Sequence, residues 1–151
     1  MRIEYLPKDL RTIRQVAAWL YGEWGHLRKG NTLEKTIRRL SKRAKSRAIP
    51  LTLIVRANGS PVGTASLVTY DMKTHLNLTP WLASVYVLPN HRRRGFGAAL
   101  CRRAVLEARR LGCKRIYLYT RDKEKFYSAL GWKEIHQAKY RNQKVTVMAF
   151  G

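Results

Sequence analysis

A basic loop that contains two glycines has the residue types best suited to chemistry in this sequence. Arg92, Arg93 and Arg94 precede Gly95 and Gly97, between an apolar strand-like segment and a helix-like segment. Backbone N–H groups at the start of a helix lack intrahelical partners and lie at the positive end of the helix dipole, so they suit a phosphate group. Glycine lets the backbone approach such a ligand without a Cβ in the way. The loop is therefore predicted to bind a pyrophosphate; the alternative is a basic turn that only caps the helix.

The glycine spacing excludes two common phosphate-binding patterns, since neither GxxxxGK[ST] nor GxGxxG occurs here. Instead, Arg92-x-x-Gly95-x-Gly97 resembles the [Q/R]-x-x-G-x-[G/A] signature of the GNAT acetyltransferase superfamily, as does the Val-Tyr-Val-x-Pro run that ends at Pro89. A second segment, FYSALGW from Phe126 to Trp132, is similar to the FYxxLGF/W segment of the same superfamily. The order of elements extends the resemblance over almost the whole chain, and the first fifty residues and the 71–80 loop match least.

The resemblance implies transfer of an acetyl group from acetyl-CoA to a primary amine by direct attack. It implies that the strand around Tyr86 and Val87 offers backbone N–H groups to the thioester carbonyl and the pantetheine arm. It also implies that backbone amides of residues 93–98 hold the pyrophosphate. Thr120 stands where the family often has asparagine. The residues expected to contact coenzyme A are Tyr86, Val87, Arg92, Arg93, Arg94, Gly95, Phe96, Gly97, Ala98, Thr120 and Phe126.

Tyr127 is the residue that the resemblance indicates as the general acid. A phenol is protonated at neutral pH and can give a proton to the departing CoA thiolate; the alternative is an aromatic that only packs beside Phe126. The base that deprotonates the acceptor is left open between a carboxylate, a histidine and ordered water, and Glu23, Asp71 and His75 lie in regions that can reach the acceptor. Glu23, Asp71 and Trp81 are the candidate acceptor contacts, and simple packing is the alternative for Trp81.

No metal site is expected. Cys101 and Cys113 have no metal-ligand spacing and sit in apolar patterns typical of small buried thiols. The histidines His26, His75 and His136 lie far apart in the sequence, as does His91. No cysteine–histidine pair that would act as a nucleophile is evident.

Charge is the unusual global property: 31 Lys and Arg face nine Asp and Glu, for a formal net charge of +22. Such a field attracts anionic partners and repels polycations such as polyamines, so an acidic peptide, an anionic small amine or a ribosome-bound protein fits it best. The run from Arg38 to Arg47 supports an alternative function, a GNAT-fold module that binds nucleic acid, although few aromatics are interleaved with it. The sequence leaves open a small-molecule or peptide acceptor, a longer acyl-CoA donor, and a monomer or homodimer.

The elements that must position these residues alternate between helices and strands. Asn58-Gly59 predicts a hairpin turn, Asn31 is the predicted N-cap of the second helix, and Arg38, Arg39, Lys42 and Arg43 of that helix are expected to face outward. We predict strands at 2–6, 51–55, 62–68, 82–88, 115–120, 145–150 and near 132–136, with helices at 10–24, 33–44, 95–111 and 122–130.

The predicted fold is a single α/β domain over residues 1–151 with the GNAT-like architecture, in which helices flank a mixed, mostly antiparallel central sheet. With no long apolar run and no leader-like start, a cytoplasmic location without membrane contact is expected.

Overall fold

One seven-stranded sheet organises residues 1–151, all of which the computed structural model describes. Its strands are β1 (Arg2–Tyr5), β2 (Leu51–Ala57), β3 (Ser60–Val68), β4 (Trp81–Val87), β5 (Ile116–Thr120), β6 (Lys133–Tyr140) and β7 (Gln143–Phe150). The helices are α1 (Leu10–Trp24), α2 (Leu33–Arg43), α3 (Phe96–Arg110) and α4 (Glu124–Ala129), with short 3₁₀ turns at Gly25–Leu27 and Pro89–His91. The strand order is β1-β2-β3-β4-β5-β7-β6, and only the β4–β5 pair is parallel. No helix is long and apolar enough to cross a bilayer.

The predicted fold class is confirmed, and most predicted elements are present. The β2–β3 turn has the backbone that its sequence requires, because Asn58 and Gly59 both have positive φ, at 51° and 83°. The strand predicted near 132–136 runs on to Tyr140. The sequence pattern underestimates its length because β6 is an edge strand that is exposed on both faces, and such a strand carries no alternation of apolar and polar residues.

The N-cap of α2 lies one residue later than the sequence pattern predicts. Thr32, not Asn31, caps the helix: its Oγ1 accepts a hydrogen bond from the Lys35 N–H at 3.1 Å. The Asn31 side chain instead accepts a hydrogen bond from Arg39, at 3.1 Å. Two good capping residues stand side by side here, so the sequence pattern does not distinguish them.

The two faces of the sheet are covered differently. On one face α3 and α4 form the main core, in which Leu100 packs with Leu53 and Leu82. The alternate residues point to the opposite face, where two separate apolar clusters form. The first cluster joins α1 and α2 to Ile54, and the second joins the 69–80 loop to Trp81 and to β7. A boundary between these two clusters therefore runs along the central strands on the face opposite α3.

A buried carboxylate fixes α3 against β1. Glu107 is 6% exposed, and it accepts hydrogen bonds from the Tyr5 hydroxyl at 2.5 Å, from Arg103 at 3.0 Å and from Arg110 at 3.0 Å. Burial raises the pKa of this carboxyl, but the three hydrogen bonds outweigh burial and hold the pKa below its ordinary value of 4.5. These contacts fix the C-terminal part of α3, and the Gly95 loop lies at the N-terminus of the same helix.

We expect Glu107→Gln to lower the free energy of unfolding at pH 7 by about 1–3 kcal/mol, because an ionised hydrogen-bond acceptor is replaced by a neutral amide. A carboxyl with a lowered folded-state pKa stabilises the fold above its unfolded pKa and loses that effect as the pH falls. The difference between the two proteins should therefore shrink below pH 4.5. Urea unfolding at several pH values measures it, with the exposed Glu134→Gln as control. A difference that does not depend on pH would contradict this role.

Candidate active site

The site begins where the two central strands separate. β4 and β5 share a single paired position, Trp81 with Tyr117, although each continues for several more residues. β5 then pairs with β7 on its other side, and β4 pairs with β3. The edge of β4 beyond Trp81 therefore faces an opening in the middle of the sheet, and its backbone groups there have no strand partner.

A β-bulge reshapes β4 at this opening. Thr64 pairs with Tyr86 and Ser66 pairs with Ala83, so β4 holds one more residue than β3 between these pairs. Ser84 within the bulge has a φ of 56°, in the left-handed region.

The bulge leaves a backbone donor aimed at the opening. Leu88 donates its N–H to the Val62 carbonyl at 2.9 Å, on the β3 side. Because neighbouring N–H groups of a strand point in opposite directions, the N–H of Val87 points into the opening.

The loop before α3 presents a row of backbone donors. No N–H group from Arg93 to Ala98 donates a hydrogen bond within the protein, and Ala99 is the first residue to do so, to the Gly95 carbonyl at 3.0 Å. Arg93 and Gly95 have positive φ, at 64° and 87°. These left-handed residues turn the backbone between β4 and α3, where the free N–H groups lie. The arrangement fits an anion, since the donors are free and stand at the positive end of a 15-residue helix.

The loop side chains fall into three roles. The guanidinium of Arg92 donates to the Val87 carbonyl at 2.8 Å and lies 5.4 Å from the centre of the Tyr86 ring, so it braces the loop against β4. Arg93 and Arg94 are exposed and form no ion pair. The Phe96 side chain packs into the main core, so only its backbone is available to a ligand.

Three predicted segments meet beside this loop. A Cβ placed on Gly97 would lie 3.6 Å from Phe126 Cζ and 3.7 Å from Val87 Cγ2. The start of α3, the start of α4 and the end of β4 therefore surround one point, as the predicted coenzyme A site requires. Phe126 keeps 37% of its surface exposed, although it is apolar. Thr120 is buried, and its hydroxyl accepts a hydrogen bond from the Lys123 N–H at 3.0 Å in the turn before α4.

Tyr127 lies on the α3 face of the sheet, in the main core. Burial raises the pKa of its phenol above the ordinary value, and the neighbouring Cys101 raises it further. Burial also raises the pKa of the Cys101 thiol to about 12, so both groups stay protonated at neutral pH. The Tyr127 hydroxyl has no hydrogen-bond partner within the chain, which leaves its proton available to a bound group.

Asp71 follows β3 and directly precedes Met72, which packs in the second apolar cluster on the face opposite α3. Its charge partners come from both sides: Arg28 and Arg43 from the side of α1 and α2, and Arg141 and Tyr119 from the side of β5 and the β6–β7 turn. Burial raises the pKa of this carboxyl to about 6, against the opposing effect of the three arginines. A carboxylate with this pKa is mostly ionised at pH 7 and can accept a proton.

The other predicted acceptor contacts lie elsewhere. Glu23 is exposed near the end of α1 and forms no ion pair. Trp81 is 0% exposed, and its indole N–H donates to the Leu78 carbonyl at 2.7 Å, which favours the packing alternative.

His75 is held by a second histidine. Its Nε2 lies 2.8 Å from Nε2 of His136, and the two rings are stacked. This contact ties the 71–80 loop to β6. No sequence pattern indicates it, because the two residues are 61 positions apart.

The outward face predicted for α2 is wrong in part. Arg38 and Lys42 are exposed, but Arg39 and Arg43 are half-buried. Arg39 donates hydrogen bonds to Asn31 at 3.1 Å and to Thr36 at 3.2 Å, and burial lowers the pKa of Arg43, so these long side chains lie partly against the core.

An aromatic group lies next to the first apolar cluster. Trp19 stacks on Tyr86 with ring centres 5.9 Å apart, and Trp24 meets the same ring edge-on at 6.2 Å. Both tryptophans belong to α1, so this helix packs two aromatic side chains against Tyr86 beside the bulge of β4.

Comparison with known proteins agrees with the fold. The model of the acetyltransferase (GNAT) family matches residues 13–132. An aminoglycoside 6'-N-acetyltransferase complexed with coenzyme A has a TM-score of 0.77 and 15% identity, over 99% of this chain and 96% of its own. A ribosomal-protein-alanine N-acetyltransferase from Brucella melitensis has a TM-score of 0.75 and 21% identity, over 99% and 98%. Salmonella typhimurium yncA, solved with its cofactor acetyl-CoA, has a TM-score of 0.73 and 19% identity, over 99% and 92%. No curated protein has a matching sequence.

Tyr127 should resist ionisation in alkaline solution. Its pKa is raised by burial and by Cys101, so its phenol should stay protonated at pH 10, where an ordinary tyrosine is half ionised. The ¹³Cζ resonances of labelled tyrosines report this directly, with Tyr127→Phe to assign the signal. A Tyr127 resonance that titrates with a midpoint at or below 10 would contradict the environment described for it.

Proposed function

This chain belongs to the GNAT family of acetyltransferases, and we propose that it transfers an acetyl group from acetyl-CoA to a primary amine by direct attack. The observation that carries the proposal is the loop before α3, whose N–H groups are free and which lies beside the end of β4 at the opening in the sheet; Tyr127, with a free hydroxyl, lies on the same face.

The residues present suit coenzyme A. The free N–H groups from Arg93 to Ala98 would hold its pyrophosphate, with the exposed Arg93 and Arg94 side chains beside them. The exposed part of Phe126 and the edge of β4 at Val87 would contact the pantetheine arm. When bound, acetyl-CoA supplies an acetyl group that is activated as a thioester.

The residues around the opening supply the remaining chemistry. The Val87 N–H is aimed where it can donate to the acetyl carbonyl oxygen and stabilise charge that develops there. Asp71 takes one proton from the acceptor ammonium, so that the neutral nitrogen can form its bond to the acetyl carbon. Tyr127 gives its proton to the CoA sulfur as the C–S bond breaks. Tyr127 then regains a proton from the product nitrogen, and Asp71 releases its proton to solvent, so one proton leaves per turnover.

The nucleic-acid alternative has less support. It depends on the basic run from Arg38 to Arg47, and within this run Arg39 and Arg43 turn inward instead of joining an outer basic face. The three structural neighbours are acetyltransferases by name or are solved with acetyl-CoA.

Two matched glycines test the cofactor site. Gly95 and Gly112 stand at the two ends of α3, with φ of 87° and 84°, and a Cβ at either position would have no atom within 4 Å. Glutamate at either position should therefore strain the backbone equally, by about 1–2 kcal/mol. Only Gly95→Glu brings a carboxylate to the row of N–H groups, so it alone should weaken coenzyme A binding, by about tenfold or more.

Calorimetric titration of both glycine variants with coenzyme A measures this difference, and thermal unfolding shows whether the two folds are equally perturbed. Equal loss of affinity in Gly95→Glu and Gly112→Glu would mean that the α3 N-terminus is not the binding site.

The pH dependence of turnover tests the proton transfers. With one amine used throughout, kcat should fall as the pH drops through about 6, because a protonated Asp71 cannot accept a proton. Asp71→Asn should lower kcat by about 10²-fold and abolish this acidic limb. Tyr127→Phe should also lower kcat but keep the limb, because Asp71 is intact. An acidic limb that persists in Asp71→Asn would assign the base elsewhere, for example to ordered water.

A further inference from the structure

A hydrogen bond between two imidazole rings ties the 71–80 loop to the edge strand β6. Nε2 of His75 and Nε2 of His136 lie 2.8 Å apart, and the planes of the two rings differ by only 11°. His75 is half-buried and His136 is exposed. Both rings can therefore exchange protons with solvent in the pH range where histidine titrates.

The contact requires one proton between the two Nε2 atoms. A neutral imidazole has one N–H and one bare nitrogen, whereas an imidazolium has an N–H at both positions. Nδ1 of His75 also lies 2.8 Å from the Thr74 hydroxyl, which can donate or accept there. In either arrangement one ring donates through Nε2 and the other accepts, so the pair can carry a charge of zero or +1. When both rings are protonated, both Nε2 atoms carry an N–H and the hydrogen bond is lost.

This contact is the only hydrogen bond from residues 74–77 to the protein outside the loop. The ends of the loop are anchored separately: the Lys73 N–H donates to the Tyr140 hydroxyl at 3.2 Å, and the Leu78 carbonyl accepts from the Trp81 indole at 2.7 Å. The other hydrogen bonds of residues 74–77 stay within the loop, and three of these four residues are exposed. Loss of the imidazole contact therefore frees the middle of the loop and leaves its ends in place.

The charges around the pair oppose the second proton. The other titratable groups of the loop and of the β6–β7 hairpin are Asp71, Lys73, Lys133, Glu134, Lys139, Tyr140, Arg141 and Lys144. Five of these groups are cationic and two are acidic, so together they disfavour further positive charge. None of them acts directly on His75: burial and the charge of His136 lower the pKa of its imidazole below the ordinary value of 6.5.

We propose that the His75–His136 contact is a pH-sensitive latch, which holds residues 74–77 against β6 while one proton lies between the two Nε2 atoms and opens when both rings are protonated. A lowered pKa means that the folded protein favours the neutral ring, so the latch is closed at neutral pH and is lost as the pH falls below 6.5. Residues 74–77 closely follow Asp71, so the latch controls the order of the segment next to the proposed base. The latch itself does not depend on acetyl transfer.

Backbone dynamics of the free protein test the latch. ¹⁵N relaxation of the amides from Thr74 to Asn77 should give order parameters of about 0.85 at about pH 7 and below about 0.6 at about pH 4.5. The side-chain resonances of His75 and His136 should titrate with the same midpoint as this loss of order. The remaining amide resonances show whether the rest of the fold is kept.

Two substitutions of His136 separate the hydrogen bond from its titration. In His136→Gln the amide oxygen can accept from Nε2–H of His75 whether or not that ring is charged, so the loop should stay ordered at both pH values. In His136→Ala the partner is absent, so the loop should be mobile at both pH values. The control is His26→Gln, which removes an exposed histidine beyond α1 and should keep the wild-type pH dependence.

Three results would overturn the inference: equal order at both pH values in the wild-type protein, an ordered loop in His136→Ala, or an acid-induced loss of order that persists in His136→Gln. The last result would assign the release to another group, such as Asp71. Failure of the proposed acetyl transfer would leave these measurements unchanged, because they use neither acetyl-CoA nor an amine.

Discussion

The two central strands are paired only at Trp81 and Tyr117, and the features of the candidate site are described around the opening that results. A sheet normally satisfies the N–H and C=O groups of its inner strands with neighbouring strands. Here β4 gives up that partner along most of its length and also bulges at Ser84. In the proposed function, a bound ligand satisfies this unpaired edge.

The two sides of the opening differ in their electrostatics. On the α3 side, free N–H groups at a helix N-terminus and exposed arginines favour a phosphate, while the buried phenol of Tyr127 stays protonated. On the other side, Asp71 is a carboxylate with a pKa of about 6, surrounded by arginines that it does not neutralise. A phenol that stays protonated and a carboxylate that is mostly ionised at pH 7 thus lie in separate environments, as the proposed proton transfers require.

The sequence predicted the elements around the candidate site that depend on contiguous residues. The Arg92–Gly97 loop and the segment around Tyr127 each carry their signal in one short stretch, and apolar periodicity correctly predicted the strand and helices that flank them. It did not predict contacts that depend on tertiary packing. The inward turn of Arg39 and Arg43 and the His75–His136 contact arise from how clusters distant in sequence meet. Asp71 is a candidate by position alone in the sequence, because the burial that raises its pKa comes from residues far along the chain.

The most direct test is whether the free backbone amides of the α3 loop are the groups that bind coenzyme A. Titration of the ¹⁵N-labelled protein with coenzyme A, followed through its backbone amide resonances, measures each donor separately. The amide protons from Arg93 to Ala98 should show the largest downfield shifts and gain protection from hydrogen exchange, with Val87 also affected, because each acquires a hydrogen-bond acceptor. Saturable binding that leaves these amides unchanged and shifts resonances elsewhere would contradict the site, and with it the role of the opening beside β4.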